Sequence, residues 1–314
     1  MVDAFRHETV LLNEAVAALN IKVNGVYIDA TFGRGGHSAE IIKQLGPQGR
    51  MLLIDKDPLA IAYAKGVYKN DERVLVWQGS FKDFPDALQE AGLEKADGLL
   101  LDLGVSSPQL DDASRGFSFM RDGKLDMRMN PDEGMSAAEW IARASADEIA
   151  DVIYQYGEDR LSRRIARKIV EKRAVTPIST TLQLAEIIAS SIPKKIQRKE
   201  LGKHPATRSF QAIRIFINRE LEDLIECLDA SKEHLAAKGR LVVISFHSLE
   251  DRIVKRFLKA GSRAPSMPRG LPIMDDQLPQ AEFELIGKPV KPSKDEVQLN
   301  VRSRSAIMRI GERL

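Results

Sequence analysis

Val26-Tyr27-Ile28-Asp29-Ala30-Thr31 reads as a strand, and Phe32-Gly33-Arg34-Gly35-Gly36-His37-Ser38 as a glycine-rich turn opening a helix through Ile41 and Ile42 to Leu45. A second strand, Met51-Leu52-Leu53-Ile54-Asp55, follows, and Pro58 suits the first turn of the helix after it. Working outward, Val74 to Trp77 and Ala96 to Asp102 supply a third and a fourth strand. These runs are almost wholly apolar rather than alternating, the pattern of parallel strands covered on both faces. Strands alternating with helices over short links predict a doubly wound α/β sheet.

The rhythm breaks from about Leu110 to Arg214, where the pattern is helical without a convincing strand. Ser136 with Glu139 and Ser145 with Glu148 have the spacing of capping boxes. Leu161, Ile165 and Ile169 form an apolar stripe with Arg163, Arg164, Arg167 and Lys168 largely off it, which predicts an amphipathic helix with a basic outer face. Pro193 closes the helix begun near Thr181. A helix over Leu221 to Leu235, ended by Lys238-Gly239, then leads into a fifth strand from Arg240 to Ser245. A helix from about Leu249 to Lys259, a loop from Ser262 to Gln280, and strands at Phe283–Ile286 and Ser305–Ile310 complete a seven-stranded reading. The expected organisation is a sheet domain from 1–110 and 215–314, with an inserted helical domain over 111–214.

The 314 residues are 43% hydrophobic and 29% charged, ordinary values for a chain with a sizeable core. No apolar run approaches the roughly 18 residues of a membrane span, and the first residues lack the basic and apolar regions of a signal peptide. The single cysteine, Cys227, excludes a disulfide framework and falls among Leu224, Ile225 and Leu228, so it reads as a packing residue in a reducing, cytoplasmic setting. The formal net charge is only +2, but Arg160 to Arg214 holds 14 Lys and Arg against 3 acids. A local excess of that size favours a polyanion, because each phosphate contact releases condensed counterions.

The glycine turn is not a clean dinucleotide fingerprint. It gains weight from Asp55, which lies 19 positions after Gly36, close to the spacing of about 20 at which a carboxylate receives ribose hydroxyls. Phe81 after the third strand suits an adenine face, and Asp102 ends the fourth. Ligands in open α/β sheets sit at the carboxyl ends of strands, so Gly35, Gly36, Asp55, Phe81 and Asp102 point to one crevice. A nicotinamide dehydrogenase could use the same logic. It would need a phosphate-cradling turn of three glycines and a hydride-transfer acid or base, and neither stands out.

The blocks Thr31-Phe-Gly-Arg-Gly-Gly-His37 and Asp102-Leu-Gly-Val-Ser-Ser-Pro-Gln109 resemble the bacterial ribosomal RNA small subunit methyltransferase H family. The resemblance extends through His7 to Leu12, Arg115 to Met120, Leu125 to Arg128, Lys203 to Arg208, Ser245 to Arg252 and Arg302 to Ser305, and is weakest from Ser262 to Lys294. It implies a class I methyltransferase fold, S-adenosylmethionine as cofactor, and methylation of N4 of a cytidine in the decoding region of 16S rRNA, within the small ribosomal subunit. It adds His37 and Gln109 to the expected cofactor contacts.

A cytosine exocyclic amine is a poor nucleophile, so such an enzyme must align amine, methyl and sulfur and accept a hydrogen bond from the amine. The segment Asp102 to Ser107 is expected to supply that acceptor, as an Asp102 oxygen, the Ser106 hydroxyl or a backbone carbonyl. The base must leave its stack to be reached. Lys203, His204, Arg208 and Arg214, where the insertion returns, and His247 and Ser248, after the fifth strand, are expected to contact RNA. The five histidines show no paired ligand spacing, so no metal site is expected. Oligomeric state is not legible. The alternatives are a DNA or small-molecule methyltransferase, which leaves the basic insertion without purpose, and a methyltransferase-fold RNA-binding or ribosome-assembly protein without activity.

Overall fold

In the computed structural model, which describes residues 9–197, 204–264 and 280–314, the apolar runs form one seven-stranded sheet of order β3-β2-β1-β4-β5-β7-β6. The strands are β1 (Val26–Asp29), β2 (Arg50–Asp55), β3 (Val74–Gln78), β4 (Ala96–Asp102), β5 (Leu235–Ser245), β6 (Phe283–Leu285) and β7 (Ile307–Arg313). The first five run parallel. The chain divides into two compact units, residues 1–104 with 221–314, and residues 105–220.

In the first unit the helices before the insertion are α1 (Leu12–Ala18), α2 (Gly36–Ile42), α3 (Pro58–Val67) and α4 (Phe84–Glu90). Side chains alternate across each strand, so the sheet carries two cores. Tyr27, Met51, Leu53, Leu100, Val242 and Ile244 pack with α1, α2 and α3. Ile28, Leu52, Ile54, Leu99, Leu101 and Val243 pack on the other face with α4. Each such leucine, fully buried, contributes about 1.5–3 kcal/mol relative to an exposed one. This two-sided burial is why the strands read as continuous apolar runs.

The second unit, which holds no named strand among its described residues, carries α5 (Ser107–Asp111), α6 (Ala137–Arg143), α7 (Ala146–Gly157), α8 (Ser162–Arg173), α9 (Thr181–Ser191), α10 (Lys194–Gln197) and α11 (Thr207–Asn218). The expected capping boxes at Ser136 with Glu139 and Ser145 with Glu148 both form. Its core is built from Trp140, Ile149, Ile153, Ile165, Ile169, Leu184 and Ile213. Leu161 is the residue before α8 rather than part of it, and Arg163, Arg164 and Arg167 stand exposed opposite Ile165 and Ile169.

Chain return to the sheet comes through α12 (Glu220–His234), then α13 (Ser248–Gly261) and α14 (Lys294–Leu299). α12 and α13 complete the face that α4 covers, through Leu224, Cys227, Leu228, Val254 and Leu258. The helix expected over Leu221 to Leu235 ends at His234, and the strand expected from Arg240 begins at Leu235. Leu235 already pairs with Ala96, and the ladder shifts register before Arg240 pairs with Gly98. β7 runs antiparallel between β5 and β6, and it begins at Ile307 because 301–305 form a 3-10 turn.

Candidate active site

β1 ends at Asp29, β2 at Asp55, β3 at Gln78 and β4 at Asp102, and parallel pairing sets all four at one edge. In the order β3-β2-β1-β4-β5 the chain progresses outward in opposite directions from the gap between β1 and β4, which is where open α/β sheets admit ligands. The segment after β1 is stitched into that gap. Ala30 N donates to Leu100 O on β4 at 3.0 Å and Phe32 N to Ile54 O on β2 at 3.0 Å. Asp102 N donates to Thr31 Oγ1 at 2.6 Å.

The glycines of the turn are required for different reasons. Gly35 has φ +75°, and a Cβ there would meet the Phe32 ring at 2.5 Å. A Cβ on Gly36 would lie 1.8 Å from Thr9 Oγ1, so its emptiness is filled by the segment before α1.

Three carboxylates gather behind the turn. Asp29 is 1% exposed; Ser38 Oγ donates to it at 2.5 Å and Thr31 N at 3.2 Å. Burial nevertheless pushes its carboxyl up to about 6. Asp55 accepts from Gly33 N at 2.8 Å on one oxygen and from Asp57 N at 2.8 Å on the other. Burial outweighs those two hydrogen bonds and, with the charges of Asp57 and Asp29, takes Asp55 to about 6 as well. Burial, then Asp29 and Glu250, hold Asp102 well above the usual carboxylate range.

Asp102 Oδ1 is shielded from solvent and has no hydrogen-bond partner among the described residues. Its Oδ2 lies 3.8 Å from His37 Nδ1. His37 is 4% exposed and sits in the first turn of α2, with Nε2 3.1 Å from Val10 O. A carbonyl only accepts, so Nε2 carries the hydrogen and a neutral His37 presents the Nδ1 lone pair to Asp102. Phe81 opens a 3-10 turn after β3 and packs half-buried against the core shared by α4 and α12.

His247, at the same sheet edge after β5, caps α13; its Nε2 lies 3.0 Å from the buried Glu250, while Ser248 is exposed. An RNA contact through His247 therefore competes with a local cap. Asp29 and Glu250 are the site residues that sequence reasoning missed. A strand of apolar residues ending in an acid was the available signal for Asp29; for Glu250 it was the spacing of three from His247 at the start of α13.

The remaining expected residues belong to the second unit. Ser106 and Gln109 form a reciprocal cap on α5: Ser106 N donates to Gln109 Oε1 at 2.9 Å and Gln109 N to Ser106 Oγ at 3.4 Å. Gln109 is 5% exposed. One acceptor site of the Ser106 hydroxyl is thereby taken. His204 is exposed and stacks near Phe119, ring centroids 4.6 Å apart, and Arg208 is exposed on α11. Arg214 instead grips Glu220 through two hydrogen bonds of 2.8 and 2.9 Å, so a phosphate would have to share its guanidinium. Lys203 lies outside the described residues. Among those residues no group of three or more His, Cys, Asp or Glu is placed to hold a metal, and no helix is long and apolar enough to cross a membrane.

The model of the MraW methylase family matches residues 4–314. A protein of Marinomonas sp. named ribosomal RNA small subunit methyltransferase H is 54% identical over 98% of this chain and 97% of its own length. One of the same name from Neisseria meningitidis serogroup B is 52% identical over 99% and 94%. Among solved structures, a putative methyltransferase from Streptococcus mutans in complex with SAH is similar over 98% of this chain and 99% of that one, at TM-score 0.45 and 11% identity.

Proposed function

The chain belongs to the MraW methylase family, and from that premise we propose that it transfers the methyl group of S-adenosylmethionine to the exocyclic N4 of a cytidine in the decoding region of 16S rRNA. The observation that carries this reading is the set of carboxylates at the β1/β4 edge, Asp29 buried and Asp55 and Asp102 half-buried. Asp29 raises the proton affinity of both Asp55 and Asp102, and Asp102 keeps a shielded oxygen without a hydrogen bond among the described residues. Carboxylates partly withheld from water fit a ligand that combines hydroxyl donors with positive charge. When bound, S-adenosylmethionine supplies an electrophilic methyl on a positively charged sulfur.

In this reading Asp55 accepts the ribose hydroxyls, Phe81 lies beside the adenine, and the turn at Gly35, Gly36 and His37 closes over the cofactor. Gln109, with its partner Ser106, supports the chain leaving β4. Asp102, or the Ser106 hydroxyl, accepts the hydrogen bond from the cytidine amine as its nitrogen becomes tetrahedral. His37, with its Nδ1 lone pair toward Asp102, orients that carboxyl and can take its proton. The exposed Arg163, Arg164 and Arg167 face of α8, with His204, Arg208 and Ser248, meets RNA phosphates. Lys203, Arg214 and His247 are assigned to the same task, the last two sharing it with Glu220 and Glu250. The substrate is taken to be the small ribosomal subunit, in the cytoplasm.

Labelled S-adenosylmethionine incubated with small subunits lacking the modification, followed by mapping of the labelled nucleotide, tests the proposal. Label on N4 of a decoding-region cytidine is expected. Label elsewhere, or none on RNA, overturns it.

A further inference from the structure

The helix that brings the chain back to the sheet carries a carboxylate where an apolar residue would pack best. On α12, Leu224, Cys227 and Leu228 are buried in the core against the sheet, and Asp223 beside them is only 1% exposed. Burying a carboxylate costs several kcal/mol unless it is paired and hydrogen-bonded, so a helix that needed only anchoring gains nothing from one. What Asp223 holds explains it. Its Oδ2 lies 2.5 Å from Lys56 Nζ and accepts from Ser80 Oγ at 2.7 Å.

Those partners are the immediate neighbours of two expected cofactor residues. Lys56 sits between Asp55 and Asp57, and the Asp57 amide is one of the two donors that orient the Asp55 carboxylate. Ser80 precedes Phe81; its hydroxyl donates to Asp223 and accepts from Lys82 N at 3.4 Å, which shapes the turn that Phe81 opens. One helical turn on, Glu226 takes Lys82 Nζ at 3.0 Å, so α12 grips the residue on either side of Phe81. A single carboxylate thus ties the end of β2 to the end of β3.

We infer that Asp223 is a positioning residue for the adenosine half of the cofactor, holding the Asp55 and Phe81 loops at the separation the nucleoside needs. This rests on the reading that Asp55 and Phe81 hold that half. Side chains fixed before binding save the ligand the cost of ordering them, so the effect falls on affinity rather than on chemistry.

The test is calorimetric binding of S-adenosylhomocysteine and of 5′-methylthioadenosine to the full chain, with wild type, Asp55→Ala, Asp223→Asn and Ser80→Ala. Asp223→Asn is expected to raise both Kd values about tenfold, the equivalent of about one charged hydrogen bond, and to raise the cofactor KM while leaving kcat at saturation unchanged. A merely structural role would lower the melting temperature and the active fraction and leave Kd untouched. Should Asp223→Asn fail to fold, Ser80→Ala keeps the Lys56 pair and is expected to weaken binding in the same direction, by about threefold. Unchanged Kd in the Asp223 variant, or in Ser80→Ala where that variant does not fold, overturns the inference if Asp55→Ala still loses affinity. If Asp55→Ala also binds as wild type, the adenosine reading itself fails.

Discussion

Replacing the buried Asp29 by asparagine removes one charge from the three carboxylates and leaves the shape of the site unchanged. The asparagine oxygen can still accept from Thr31 N, and its amide can donate to Ser38 Oγ in place of the hydroxyl's own donation. In the wild-type fold the Asp29 carboxyl titrates at about 6 against an ordinary 3.8, so between those values the folded state binds more protons than the unfolded one. Stability from this group is therefore fully present below 3.8 and is lost as pH rises through about 6. The gap corresponds to about 3 kcal/mol by pH 7.5. The variant has no such titration, and without Asp29 the carboxyls of Asp55 and Asp102 also lose a neighbouring charge that raises them.

The assay is urea unfolding without cofactor at pH 4, 5, 6 and 7.5. A Trp140→Phe background leaves Trp77 on β3 as the only tryptophan signal and isolates the sheet unit from the helical one. The stability difference, variant minus parent, should grow by about 2.5 kcal/mol in the variant's favour from pH 4 to 7.5. Cofactor binding should move the other way, with S-adenosylmethionine losing more affinity than the neutral S-adenosylhomocysteine. Parallel stability curves would refute the reasoning, because they would mean that the folded state carries no penalty for the Asp29 charge. A more stable variant that binds the sulfonium less well is the trade expected when charge is kept for a ligand.

Asp55 should make cofactor affinity fall about tenfold from pH 7 to pH 5, since a carboxyl titrating at about 6 must be ionised to accept ribose hydroxyls; Asp55→Asn should remove that step, and its persistence would point to another group. Gly36→Ala should destabilise the fold by about 1–3 kcal/mol because the new methyl collides with Thr9. Adding Thr9→Gly should restore most of that in a thermal melt, and no rescue would locate the clash elsewhere. Arg164→Glu with Arg167→Glu, on the exposed face of α8, should weaken RNA binding and lower the salt slope by about two; an unchanged slope would count against that face. Asp102→Asn should slow single-turnover methyl transfer more than it weakens cofactor binding, and the reverse would reduce Asp102 to a binding residue.

What could be read from the chain and what could not divide by distance along it. The runs from Met51 to Ile54 and from Leu99 to Leu101 announced two-sided burial because each strand's faces point into separate cores, a property of the run itself. The caps at Ser136 and Ser145 were legible because donor and acceptor lie three residues apart. At His247 and Arg214 the local sequence shows a polar residue but not what it is paired with. Both were singled out as polar residues near the expected crevice, and both have acidic partners three and six residues on.

Relations across the chain were invisible. Thr9 explains Gly36 from 27 positions away, Asp223 reaches Ser80 across 143, and the antiparallel entry of β7 between β5 and β6 is a pairing no periodicity encodes. Asp29 shows why this matters for function. As a residue it is only a strand's last position; its elevated proton affinity exists because folding buries it, against the hydrogen bonds from Ser38 and Thr31 that lower it, and its charge in turn raises Asp55 and Asp102. Spacing can suggest which carboxylates face a crevice, but the raised proton affinities of Asp55 and Asp102 arise from desolvation and from the Asp29 charge beside them, and those require the fold.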